Sequence, residues 1–111
     1  KAVTVGGAIA SDVHVKNHHL DGSFCDHVDS FRLLLASGEI LNCSRTHNAE
    51  LFKASCAGMG LTGIVLDAKL RLRSLPSASL SQTALVAKNL KHCMDLMDTH
   101  AQSPFSVAWI D

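Results

Sequence analysis

Three kinds of residue in this sequence have the chemistry to hold or act on a ligand: closely spaced glycines, a cluster of histidines around one lysine, and four cysteines. Glycine takes dihedrals closed to other residues and lets bare main chain approach a ligand. Gly6-Gly7, Gly22 and the run Gly58-Met59-Gly60 with Gly63 are placed for this, each beside a segment with β or helical character. Gly58, Gly60 and Gly63 also have G-x-G-x-x-G spacing. A dinucleotide-binding turn of that kind follows a strand and opens a helix. Here the glycines follow a helical pattern and open a strand, so that assignment fails on context. By themselves, all of these glycines fit turn-building equally well.

His14, His18, His19 and His27 fall in a short span with Asp12 and Cys25. A metal centre needs ligands that converge in a defined geometry. The His14-x-x-x-His18 spacing suits a helix, but the stretch from His14 to Phe24 is polar and aperiodic, as in a loop. A ligand-contacting loop is expected, and no metal site. Lys16 is suited to hold a phosphate or stabilise an anion, or simply to be solvated. His47, His92 and His100 read as surface residues. Cys25, Cys43, Cys56 and Cys93 have wide, irregular spacings and no C-x-x-C pair. Buried or half-buried free thiols in a reducing compartment are expected, rather than zinc ligands or a disulfide framework.

The elements that would position these groups follow from periodicity. Val3-Thr4-Val5 reads as a strand meeting Gly6-Gly7, with a helical turn through Ile9 to Val13. Phe31, Leu33 and Leu35 alternate with Ser30, Arg32 and Leu34, Ser37-Gly38 supplies a tight turn, and Glu39 to Cys43 returns, giving a β-hairpin. Asn48 is a good N-cap for a helix from Ala49 to Cys56, with Leu51, Phe52 and Cys56 inward and Gly58 ending it in a left-handed conformation. In the strand Ile64 to Arg73, Ile64, Leu66, Ala68, Leu70 and Leu72 would share a buried face, with Val65 on the wet side. After Pro76, a strand over Leu80 to Leu85, an amphipathic helix over Val86 to His100 and a strand over Phe105 to Ile110 suggest a second unit.

Composition sets the outer limits. Apolar residues make up 47% of the 111 residues and the formal net charge is zero. That is a globular balance with one modest core and without the basic field that nucleic acid demands. No apolar run approaches the roughly 20 residues needed to cross a bilayer. Neither end has a polar, Gly/Pro-rich tail, so a piece of a longer protein is expected.

Residues 3–19, Gly22-Ser23-Phe24, the hairpin Leu33 to Cys43, Ala49-Glu50-Leu51-Phe52 and Gly58 to Val65 together resemble the flavin-binding segment of the vanillyl-alcohol-oxidase (PCMH-type) FAD oxidoreductases. Lys16-Asn17-His18-His19 followed by Gly22-Ser23-Phe24 is most similar to the decaprenylphosphoryl-β-D-ribose oxidase family, and Val107 to Asp111 resembles an early strand of its substrate domain. The resemblance implies an α+β fold: residues 1–76 as the C-terminal part (second subdomain) of a PCMH-type FAD-binding domain, and 77–111 as the start of a substrate domain. It implies FAD as cofactor, lined by Thr4, Val5, Gly6, Gly7, Ser11, Asp12, Val13, His14, Gly63, Ile64 and Val65. His14 and Lys16 are the catalytic candidates beside the flavin ring. The implied reaction oxidises a sugar hydroxyl, with hydride passing to the flavin, and the implied substrate is a sugar or a polyprenyl-phosphate sugar. A bacterial cytoplasmic or membrane-peripheral setting goes with it. The sequence departs from the family pattern at Val15 and Cys25-Asp26, where glycine and Gly-Asn are favoured, and at Ala57, where Gly-Gly precedes the connector. An aldonolactone oxidase relative and a non-catalytic remnant of the fold are the alternatives.

Overall fold

The structure is a computed structural model that describes residues 2–110. In chain order the elements are α1 (Val5–Ala10), α2 (His18–Asp21), a 3-10 turn (Phe24–His27), β1 (Val28–Leu34), β2 (Ile40–Ser44), α3 (Ala49–Ser55), β3 (Ile64–Leu70) and α4 (Leu90–Thr99). The sheet has three strands in the order β2-β1-β3, antiparallel throughout, and the architecture is α+β.

The hairpin forms where alternation and turn chemistry place it. β1 and β2 pair from Ser30↔Ser44 to Leu34↔Ile40. Gly38 turns the chain at φ 85°, with its N–H on the Leu35 carbonyl at 2.9 Å. β1 is the central strand and buries Val28, Phe31 and Leu33. These join Ile9 of α1, Cys25, Cys43 of β2 and Phe52 of α3 in one core. Phe31 and Phe52 stack with ring centroids 5.0 Å apart. Each such large apolar side chain contributes about 1.5–3 kcal/mol by leaving water.

β3 departs from the simple alternation expected of it. Arg32 pairs with Asp67 but Leu33 with Val65, so Leu66 is an extra residue in a bulge. A bulge shifts facing by one position. Val65, Ala68 and Leu70 therefore pack on the core, while Ile64 is 65% exposed and Leu66 43% exposed. Val65, expected on the wet face, is an inward residue.

Four other local expectations are corrected. Val3-Thr4-Val5 is not a strand: Thr4 is extended and caps a helix that starts at Val5, its Oγ1 accepting the Gly7 N–H at 3.1 Å. A threonine that satisfies a first-turn donor outweighs a short β-prone run. Within the polar stretch after His14, α2 forms one short turn of helix. Asn48 does not cap α3 through its side chain; it is left-handed (φ 48°) and donates Nδ2–H to the Asn42 carbonyl at 2.8 Å. Beyond α3, Ala57 rather than Gly58 takes the left-handed conformation, at φ 59°. Gly58 is needed for another reason, since a Cβ there would collide with the Ala54 carbonyl.

The last third is largely extended. No strand forms over Leu80 to Leu85 or Phe105 to Ile110, and the expected 86–100 helix is confined to Leu90–Thr99. Strands need a neighbouring edge for their N–H and C=O groups, and neither run pairs with a strand among the described residues; Val86 is 90% exposed and Trp109 86% exposed.

Candidate functional site

Gly6 and Gly7 lie in the first turn of α1. Two glycines in a helix cost about 1 kcal/mol each relative to alanine. The fold asks for only part of this. A Cβ on Gly7 would press the Thr4 hydroxyl at 3.0 Å, but one on Gly6 would meet only the Val65 Cβ at 4.0 Å, an ordinary contact. Gly6 therefore leaves main chain bare where the packing would accept a side chain. The N–H groups of Val5 and Gly6 have no acceptor within their own helix, as at any helix start. Bare main chain with free donors suits a dinucleotide's pyrophosphate.

The same contact brings the two glycine corners together. Gly6 faces Val65, and Gly63, at φ 154°, sits at the start of the same strand. Gly63 has a full explanation within the fold: a Cβ there would strike the Leu34 carbonyl where β3 meets the end of β1. Of the expected cofactor residues, Thr4, Val5, Gly6, Gly7, Gly63, Ile64 and Val65 thus cluster around the α1–β3 contact.

Asp12 and its neighbours have a different local role. Asp12 is left-handed (φ 41°), with its carboxylate turned into the chain. Oδ1 accepts the Cys25 N–H and Oδ2 accepts the Ser23 hydroxyl, both at 2.8 Å. Burial pushes this carboxyl up, but those two hydrogen bonds outweigh it and hold the group below the usual carboxylate range. Val13 adds main-chain ties, its N–H to the Ala8 carbonyl at 3.1 Å and its carbonyl to the Phe24 N–H at 3.0 Å. Ser11 is exposed at the end of α1. Residues 12, 13 and 23–25 form the neck of a closed loop that carries His14, Val15, Lys16 and His18 outward.

Arginines grip that loop from outside. Arg45 donates to the Cys25 carbonyl at 3.0 Å and Arg71 to the Asp26 carbonyl at 2.7 Å. Arg73 pairs with Asp21 Oδ2 at 2.7 Å; together with the Asn17 amide, which contributes most, it holds the Asp21 carboxyl low against the opposing effect of burial. Sequence alternation marks Arg71 and Arg73 only as solvent-facing.

His14, Val15, Lys16, Asn17 and His18 line one side of an open hollow of about 620 Å³, with Phe105, Ser106 and Val107 on the other. The Ser106 N–H donates to the Lys16 carbonyl at 2.9 Å and the His19 Nε2 bonds the Ser103 carbonyl at 3.0 Å. The sequence holds no signal that residues 105–107 return to this loop. His14 and Lys16 are together here, but none of residues 4–7 or 63–65 lines the hollow. The histidines stack edge to face, His14 on His18 at 5.3 Å. No group of three or more His, Cys, Asp or Glu among the described residues is arranged to hold a metal.

Residues 1–44 match the family described as FAD binding domain. The chain is 38% identical over its whole length to decaprenylphosphoryl-beta-D-ribose oxidase of Mycolicibacterium smegmatis, covering 25% of that protein. It is 38% identical to an uncharacterised Streptomyces coelicolor protein, over 98% of this chain and 29% of the other. It is 35% identical to L-gulonolactone oxidase of Bos taurus, over 88% of this chain and 21% of the relative. The chain spans about a quarter of the length of these relatives. By these matches residues 1–44 carry part of an FAD binding domain, with FAD as its cofactor, and the chain along its length is similar to part of longer oxidases.

Proposed function

We propose that this segment supplies one wall of the FAD site in an oxidoreductase that oxidises a hydroxyl of a sugar or sugar phosphate to a ketone. The observation that carries the proposal is Gly6: bare main chain that internal packing does not require, in a helix start that faces Val65 of β3. Bound FAD would accept the hydride that the substrate carbon loses. Val5, Gly6 and Gly7 would offer main chain to the cofactor, with Thr4 fixing the helix start through its hydrogen bond to Gly7. Asp12 would act through the loop, holding its neck closed. His14 and Lys16 would face the substrate from the hollow, Lys16 suited to an anionic substituent and His14 to taking the hydroxyl proton. Phe105 and Val107 would cover apolar parts of the same substrate.

The names of the Mycolicibacterium smegmatis and Bos taurus relatives support a sugar-type substrate. A lactone substrate is the second reading, favoured by the similarity to L-gulonolactone oxidase and to D-arabinono-1,4-lactone oxidase of Yarrowia lipolytica. A polyprenyl-phosphate substrate and association with a membrane surface extend the first reading; no helix among the described residues is long and apolar enough to cross a membrane.

The test is a chimera in which these residues replace the matching quarter of the Mycolicibacterium smegmatis relative. A purified chimera with a flavin absorbance band, which Gly6→Val loses while still melting cooperatively, is the expected result. Full flavin occupancy in the Gly6→Val protein would sink the proposal. Turnover assayed with a sugar phosphate and with an aldonolactone separates the two substrate readings.

A further inference from the structure

Cys25 and Cys56 lie outside the lining of the hollow and outside the glycine corner. Cys25 is in the 3-10 turn that closes the His14 loop, and Cys56 is the C-cap of α3. They converge on one main-chain group at the end of α1. The Ile9 carbonyl accepts the Cys25 thiol at 3.5 Å and the N–H of Ala57, the residue after Cys56, at 3.1 Å. Cys25 is a buried member of the core and Cys56 is half-buried against that core. With Cys25 Sγ and the peptide N–H that follows Cys56 on the same carbonyl, and both side chains packed on one core, the two cysteines are neighbours. Cys43 is buried in β2, in the same core as Cys25, and Cys93 lies on α4.

We propose that Cys25 and Cys56 form a redox-responsive dithiol, closed to a disulfide by a peroxide and reopened by a dithiol reductant. The half-buried Cys56 reacts first. Its thiolate attacks one peroxide oxygen, the O–O bond breaks, and the departing oxygen leaves as water after taking a proton, so that Cys56 becomes a sulfenic acid. The Cys25 sulfur then attacks the Cys56 sulfur. The S–S bond forms, the S–O bond breaks, and the hydroxyl leaves as water with the proton from Cys25. Two thiols are oxidised by two electrons and one peroxide is reduced to two waters. A dithiol reductant reverses the step by exchange.

The consequence is mechanical. The disulfide rivets the loop neck to the end of α3 across the back of α1, the helix that carries Gly6 and Gly7. Burial raises both thiols, so the thiolate is scarce at neutral pH and closure is slow without added oxidant. The rate of closure rises with pH through the neutral and mildly alkaline range.

The four cysteines fall on four separate tryptic peptides, 17–32, 33–45, 54–69 and 92–111, which makes the test direct. The chain is treated with hydrogen peroxide, blocked with a thiol reagent, digested without reduction and mapped by mass spectrometry. The expected product is peptide 17–32 joined to 54–69, lost on reduction, and absent when the oxidation is run in denaturant at equal extent of reaction. Cys93→Ser leaves this link intact. Linkage to 33–45 or 92–111 instead, a mixture of pairings, disulfide dimers, or overoxidation without the internal link would each overturn the proposal.

Discussion

Asp12 shows how far one side chain reaches. Its two acceptor bonds replace water for a partly buried charge and tie residues 23–25 to the end of α1. Hydrogen bonds to a charged group are worth about 1.5–3 kcal/mol each where well buried, and less with this exposure. Asp12→Asn keeps one acceptor and tolerates the left-handed backbone, so about 1 kcal/mol of lost stability is expected at pH 7. The pH dependence has a definite sign. The folded carboxyl titrates below its unfolded value, so its contribution is present above that unfolded value and is lost as pH falls through the lower folded one. Thermal melts of wild type and Asp12→Asn should differ at pH 7 and converge in acid, once the folded carboxyl is protonated. A difference that persists unchanged in acid would remove the charge from the explanation.

The elements carry a second contrast, between two glycines that sequence alone makes look alike. Gly63 sits where β3 joins β1, at φ 154°, with the Leu34 carbonyl in the space a side chain would need. Gly63→Ala is expected to cost about 2 kcal/mol or more through strain and collision. Gly6 sits in ordinary helical backbone with room for a methyl group beside Val65. Gly6→Ala is expected to leave the fold unchanged or to stabilise it by about 0.5–1 kcal/mol. Urea unfolding of both variants checks the pair. Equal losses would mean that Gly6 serves internal packing after all, and its assignment to a cofactor would lose its support.

At the scale of the whole molecule, the chain divides into a cored part and an extended part. The sheet, α1 and α3 share one core, whereas residues 71–89 lie exposed and without regular structure. Brief trypsin treatment is expected to cut first at Lys88, in that exposed stretch, and to spare Lys53 in α3. Early cutting at Lys53 would show that α3 is not held as described. The chain alone supplies one wall of the proposed cofactor site, so weak or undetectable FAD binding is expected in a flavin-fluorescence titration. Tight, stoichiometric binding would show that these 111 residues suffice.

Much of the cored part was legible in the residues. The β1–β2 hairpin follows from alternation and Ser37-Gly38, and α3 follows from its apolar spacing, because both depend on contacts close in sequence. The glycine corners and the polar loop are visible as residue types, and similarity adds the cofactor. Tertiary structure decided the rest. Val65 faces inward because a bulge at Leu66 shifts β3 by one position against β1, and strand facing is set by the partner strand. Asp12 points into the loop neck because Ser23 and the Cys25 amide come to it across the turn. The Gly6–Val65 contact, the return of residues 105–107 to Lys16 and the convergence of Cys25 and Ala57 on the Ile9 carbonyl all join positions distant in the chain. A one-dimensional pattern records which face of an element is apolar; which groups that face meets is settled only when the elements pack.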